Sequence, residues 1–117
     1  MTAYALAHLR PQAKPHEEVY EYLERIQATL DPFGGLFVVH GAPVEVREGE
    51  WPGALVIIRF PSIEQAREWY DSPAYQDILR LRADHIPGDL VLVDGVGPDH
   101  DSAAMAAKMR AMDVNGA

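Results

Sequence analysis

His8 lies two residues before the end of an alternating N-terminal segment, and Arg59 lies one residue before the end of the most apolar segment of the chain. An imidazole takes or gives a proton near neutral pH, and a guanidinium is a permanent cation that can hold a carboxylate or an enolate. If the two segments are adjacent parallel strands with equivalent faces aligned, both side chains meet at one end of a sheet. His8 and Arg59 are therefore the expected catalytic pair. Residues at strand ends also serve simply as solvated hydrogen-bonding groups, which is the plainer use of the same two.

Four further residues are candidates for binding a substrate. Trp51 stands in a Gly-Glu-Trp-Pro-Gly turn, where a large aromatic is not buried by default. Tyr75 and Arg82 fall on one helical stripe through Leu79, so phenol and guanidinium can meet. His40 ends a short apolar segment. Ser72 directly precedes Pro73 and is read as a helix cap rather than a nucleophile. No histidine pairs with another His or an acid at a spacing such as H-E-x-x-H, and Asp99-His100-Asp101 lies in the tail, so no metal is expected. Gly34-Gly35 opens a strand rather than a helix and lacks the geometry that cradles phosphate.

The elements that must position these residues follow from periodicity. Residues 2–10 alternate as a strand, with Tyr4, Leu6, His8 and Arg10 on one face and Ala5, Ala7 and Leu9 on the other. Pro15 opens a helix with apolar positions Val19, Leu23, Ile26 and Leu30. Residues 36–40 form a second strand, and residues 44–48 resume alternation past a bulge or as a hairpin arm. Residues 54–60 are the third strand. Ser62 with Gln65 makes a capping box, and Ser72 with Pro73 starts a second helical piece. Residues 89–94 are the fourth strand. The order strand, helix, strand, strand, helix, strand predicts an α+β, ferredoxin-like βαββαβ unit: a four-stranded antiparallel sheet with its helices on one face. It occupies residues 1–97, and 98–117 form an Ala- and Met-rich tail, a short helix capped by Ser102 or disordered.

The second and third strands are apolar on both faces, yet helices cover only one. The open face would leave a larger apolar patch than a monomer tolerates, so a homodimer is expected. A net charge of −8 disfavours nucleic acid and anionic membranes as partners. The absence of cysteine excludes thiol chemistry and disulfides and fits a reducing cytoplasm. No signal peptide and no apolar run of the roughly 20 residues that span a bilayer is visible.

Several motifs also carry a resemblance. Tyr4-x-Leu6-Ala7-His8, Phe33-Gly34-Gly35 before Val38-Val39-x-Gly41, Glu50-Trp51-Pro52, and the run Phe60-Pro61-Ser62…Ala66-x-x-Trp69-Tyr70-x-Ser72-x-x-Tyr75…Leu81-Arg82 resemble the bacterial family known as domain of unknown function 1330. The resemblance covers residues 2–95. It implies a dimeric α/β barrel built from two ferredoxin-like sheets, and no reaction. Relatives in the broader superfamily include monooxygenases, isomerases and haem-degrading enzymes. The expected function is accordingly a small cofactor-independent enzyme acting on a carbonyl-bearing or phenolic compound. The alternatives are a non-catalytic binding or stress-related dimer, and a haem protein using His8 or His40 as axial ligand.

Overall fold

A computed structural model describes residues 1–116, with side chains described to Asp113; the last residue of the expected tail lies outside the described part. The strands are β1 (Ala3–Leu9), β2 (Leu36–His40), β3 (Ala54–Phe60) and β4 (Gly88–Asp94). They form one antiparallel sheet in the order β2-β3-β1-β4. Helices α1 (Glu17–Leu30), α2 (Ile63–Asp71) and α3 (Pro73–Ala83) cover one face, and α4 (Ser102–Gly116) follows the sheet. This is the ferredoxin-like arrangement expected from the element order.

The helix-side face of β1 is built from Ala3, Ala5 and Ala7, all buried. Small side chains on a central strand let helices approach, and where no larger group fills in above them they leave room. The largest fully buried side chains belong to one cluster between the helices and the sheet. Phe60, Leu30, Ile78, Trp69 and Tyr75 are fully buried there, with Trp69 and Tyr75 ring centroids 4.2 Å apart. The Trp69 indole N–H donates to Thr29 Oγ1 at 3.0 Å, and the Thr29 hydroxyl donates to the Ile26 carbonyl at 2.7 Å. The aromatic run is thus core, and its polar edges are satisfied internally.

Local chemistry explains the break between α2 and α3. Pro73 disfavours helical geometry at the residue before it, and Ser72 is extended, with φ −65° and ψ 144°. Its hydroxyl donates to the Trp69 carbonyl at 2.7 Å and accepts from the Tyr75 N–H at 3.2 Å, closing one helix and opening the next. Ser62 caps α2 by accepting from the Gln65 N–H at 3.2 Å, while its own hydrogen goes to the Gln65 side-chain oxygen at 3.3 Å.

Four details differ from the sequence expectation. Helix α1 begins at Glu17 with His16 as its cap, not at Pro15. Its buried stripe runs through Tyr22 and Thr29, leaving Leu23 half-exposed. Residues 44–48 form no strand, since nothing in a single chain pairs with them. Helix α4 is exposed over its described residues, Met105, Met109 and Met112 included, and its first N–H groups are met by Asp101 rather than Ser102.

The sheet face opposite the helices is uncovered. It presents Leu36 and Val91, which are 51% and 55% exposed, beside Val93, Leu55 and Ile57.

Candidate functional site

The expected pairing of His8 with Arg59 does not form. The crossover makes β1 and β2 parallel, and the hairpin connection then turns β3 back, so β3 runs antiparallel to β1. His8 stands opposite Leu55, and Arg59 stands opposite Tyr4, four positions along. They share the open face but are separated by about 13 Å of strand. His8 Nε2 lies 2.6 Å from the Pro52 carbonyl, and its ring stacks on Trp51 with centroids 4.3 Å apart. Trp51 and His8 together pin the long β2–β3 connection onto the sheet. Trp51 also borders a shallow depression of about 370 Å³ whose wall includes Glu45, Glu48 and Glu50.

The larger cavity, of about 530 Å³, lies on the other side, between α1, α3 and the sheet. Its size falls within the range of small-molecule sites. Ala7, Val56, Ile58 and Leu90 form its sheet side, and Val19 and Ile26 close it from α1. The small Ala7 side chain is the reason space remains above the centre of the sheet. Its mouth opens where β1 and β2 end, α1 begins, and α3 runs into β4.

A regular strand would put Phe37 and His40, three residues apart, on opposite faces. The β2–β3 register slips by one at Val38, so Phe37 pairs with Ile58 and His40 with Val56, both on the helix side. The two rings stack, centroids 4.1 Å apart, and both line the cavity. His40 is therefore brought to the cavity, as is Arg82; His8, Arg59 and Trp51 are not.

Arg82 is 8% exposed and faces the cavity from α3. Its guanidinium carbon lies 5.6 Å from the centre of the Tyr22 ring, a cation–π distance. Tyr22 and Tyr75 hydroxyls are 2.9 Å apart, with Tyr75 fully buried behind Tyr22. Burial, reinforced by Tyr75, drives the Tyr22 phenol far above the usual tyrosine range, against the pull of Arg82. It is a hydrogen-bond donor at any physiological pH, not a base. Burial alone would lower the Arg82 guanidinium, but Tyr22 and Tyr75 more than offset this and hold it as a cation. The contact Arg82 makes is with the Tyr22 ring from α1, and Tyr75 joins the group through its hydroxyl contact with Tyr22.

The mouth carries a cluster that sequence spacing could not reveal. His16 and His85 rings stack with centroids 3.8 Å apart, and His85 Nε2–H donates to Glu18 Oε1 at 2.8 Å. One donor atom from each of His16, Glu18 and His85 lies within 4.8 Å of the others. Two features work against a cation here. His16 Nδ1 spends its lone pair accepting from the Glu18 N–H at 3.0 Å, and the N-terminal amides of α1 present positive potential. The cluster is a clasp between the start of α1 and the end of α3.

The clasp has a pH signature. The hydrogen bond from His85 holds the Glu18 carboxyl below its ordinary 4.5; burial opposes it, and the charges of His85, His16 and Arg80 add to the lowering. A carboxyl with a lowered folded-state pKa stabilises fully above its unfolded value and loses that contribution as pH falls through the folded one. The stability advantage of wild type over Glu18→Gln is expected to shrink as pH drops below 4.5 in urea titrations. An advantage that grows toward lower pH contradicts this.

With this geometry in place, comparison with known proteins is informative. A family model described as domain of unknown function, DUF1330, matches residues 2–96. The chain belongs to the DUF1330 family. No curated protein matches it. Among solved structures, this DUF1330 chain is similar to a protein of unknown function from Rhodopseudomonas palustris, at 19% identity and TM-score 0.57 over 83% of this chain and 84% of that one. It is similar to a dimeric ferredoxin-like protein of unknown function from Jannaschia sp. CCS1, at 14% identity and TM-score 0.56 over 81% and 100% of the two chains. It is also similar to SnoaB, a cofactor-independent oxygenase from Streptomyces nogalater, at 14% identity and TM-score 0.51 over 86% and 96%. At these identities the likeness establishes the fold. Among the described residues, no helix is long and apolar enough to cross a membrane.

Proposed function

We propose that this DUF1330 chain is a homodimer that takes a small, partly apolar carbonyl-bearing or phenolic molecule into the cavity between α1, α3 and the sheet, and acts on it without a cofactor. The observation that carries this reading is a buried cation, Arg82, placed with a protonated phenol, Tyr22, on the wall of a mostly apolar cavity. Such a pair stabilises negative charge developing on a substrate oxygen. Removal of a proton from a phenol, or from carbon beside a carbonyl, creates that charge, and His40 at the mouth supplies an imidazole to accept the proton. Returning the proton to a different carbon is an isomerisation. Passing the carbanion to dioxygen is an oxygenation, the class named for SnoaB.

Binding without turnover is the second reading. It is favoured by the engagement of two of the three wall imidazoles, since His16 stacks on His85 and His85 is bonded to Glu18.

The neutral ketone 2-tetralone tests the site. Calorimetry is expected to show it binding wild type, and at least about tenfold more weakly to Ala7→Leu, which fills the cavity from β1 with an unchanged Tm. Equal binding by Ala7→Leu rules the cavity out. Catalysis further predicts accelerated exchange of the ketone's α-hydrogens for solvent deuterium, lost in His40→Ala; binding without exchange supports the second reading.

Pairing through the open sheet face supports the dimer, because it removes Leu36, Val91 and Val93 from water. The dimeric neighbour from Jannaschia has the same fold. His8, Arg59 and Trp51 would then lie in or at the edge of the enclosed space. Light scattering is expected to give twice the 13.0 kDa chain mass, and the chain mass itself for Val91→Glu. A wild-type monomer contradicts it.

A further inference from the structure

The distribution of charge around the cavity is opposite to that of the molecule. The chain has 18 acidic residues against 10 Lys and Arg. None of the acids is among the residues that line the cavity, whereas Lys14, Arg82 and three of the five histidines are. Glu18, which belongs to the cluster at the mouth, is turned to His85 and Arg80 and is not part of the wall. A wall that holds Lys14 and Arg82 and no carboxylate, on an acidic protein, is selective by construction. It attracts anions and repels cations.

Arg82 sharpens the point. A guanidinium withdrawn from water normally has a carboxylate beside it. Among the described residues none of the ion pairs includes Arg82; its close companions are the Tyr22 ring and the Tyr75 phenol. The tyrosine pair adds a second donor. Only one hydroxyl hydrogen lies between the two phenol oxygens, so the other remains to be given elsewhere. Burial holds the Tyr22 phenol protonated, so it cannot itself neutralise the cation. The rest of the wall is apolar, with Val19, Ile26, Phe37, Val56 and Leu90 among it. That excludes a small hydrated anion, which would gain nothing from those surfaces.

We infer that the ligand of this cavity is an amphipathic organic anion, an aromatic or branched aliphatic body bearing one carboxylate or enolate oxygen that faces Arg82 and the tyrosine pair. Lys14 at the mouth forms the approach for that anion. The inference rests on the cavity being the functional site, and it adds the charge of the occupant. A neutral compound that becomes an enolate on the protein satisfies the same contacts, so the bound anion is either the incoming ligand or the first intermediate.

The test compares 2-naphthoate with methyl 2-naphthoate, matched in body and different in charge, by calorimetry on the wild-type protein at low salt. The acid is expected to bind at least about tenfold more tightly than the ester, as a charge-assisted contact to a guanidinium should give. Arg82→Met is expected to erase that difference while leaving the ester's affinity unchanged. Lys14→Met, at an exposed position that does not threaten folding, is expected to slow association of the acid and not of the ester. An ester that binds as tightly as the acid overturns the inference and leaves the cavity reading intact. Failure of both compounds and of 2-tetralone to bind overturns both together. The wild-type comparison decides the matter even where Arg82→Met does not fold.

Discussion

Trp69→Ala is expected to cost about 3–5 kcal/mol of folding stability, the usual penalty for emptying the site of a buried aromatic. Trp69 is fully buried, packs against Tyr75 at 4.2 Å and Phe60 at 5.4 Å, and its indole N–H bonds Thr29. Three other elements converge on it in α2, because Phe60 belongs to β3, Thr29 to α1 and Tyr75 to α3. The site cannot collapse when these neighbours are held by their own capping and ladder bonds, so the cavity term adds to the lost transfer energy. Domains of this size have about 5–15 kcal/mol in total. The variant should therefore be marginal, with a urea midpoint lowered at unchanged slope. A loss below about 1 kcal/mol would mean that the aromatic cluster is not the centre of the core.

Gly53→Ala is the second large expectation, and its cause is backbone rather than core. Gly53 has φ +117°, and a Cβ there would stand 2.1 Å from the Leu9 carbonyl oxygen. Positive φ at a non-glycine costs about 1–3 kcal/mol. The contact adds a clash with another backbone that no side-chain rotamer relieves, because it lies where the end of β1 meets the start of β3. The combined cost is about 2–5 kcal/mol. Gly41 supplies the control, with φ +93° and nothing near its Cβ position. Gly41→Ala should therefore show the conformational part alone, and equal losses for the two variants would remove the contact from the explanation.

What could be read from the chain divides by the range of the interaction. The caps at Ser62 and Ser72 involve neighbours three residues apart, and both form as their spacing implied. The alternation of β1 separates Ala5 and Ala7 from Leu6 and His8 correctly, since side-chain direction in a strand is local. Strand direction is not local. Parallel neighbours would put His8 and Arg59 at one end, and the hairpin after β2 reverses β3. The slip at Val38 is invisible in residue type, yet it decides that His40 faces the cavity. Tyr22 was discoverable: it is three residues after Val19 and four before Ile26, as good a helical spacing as that of Leu23. The stacking of His16 on His85 depends on how α1 and α3 pack, and no pattern in either segment announces it.

The central claim is that function resides in the helix-side cavity and not on the open sheet face. A crystal structure of the protein grown with 2-naphthoate tests it most directly. The account predicts the naphthalene body between Val19, Ile26 and Val56, with its carboxylate about 3 Å from the Arg82 guanidinium. A ligand bound instead against His8, Trp51 or Arg59 on the open face, with the cavity unchanged, would contradict it.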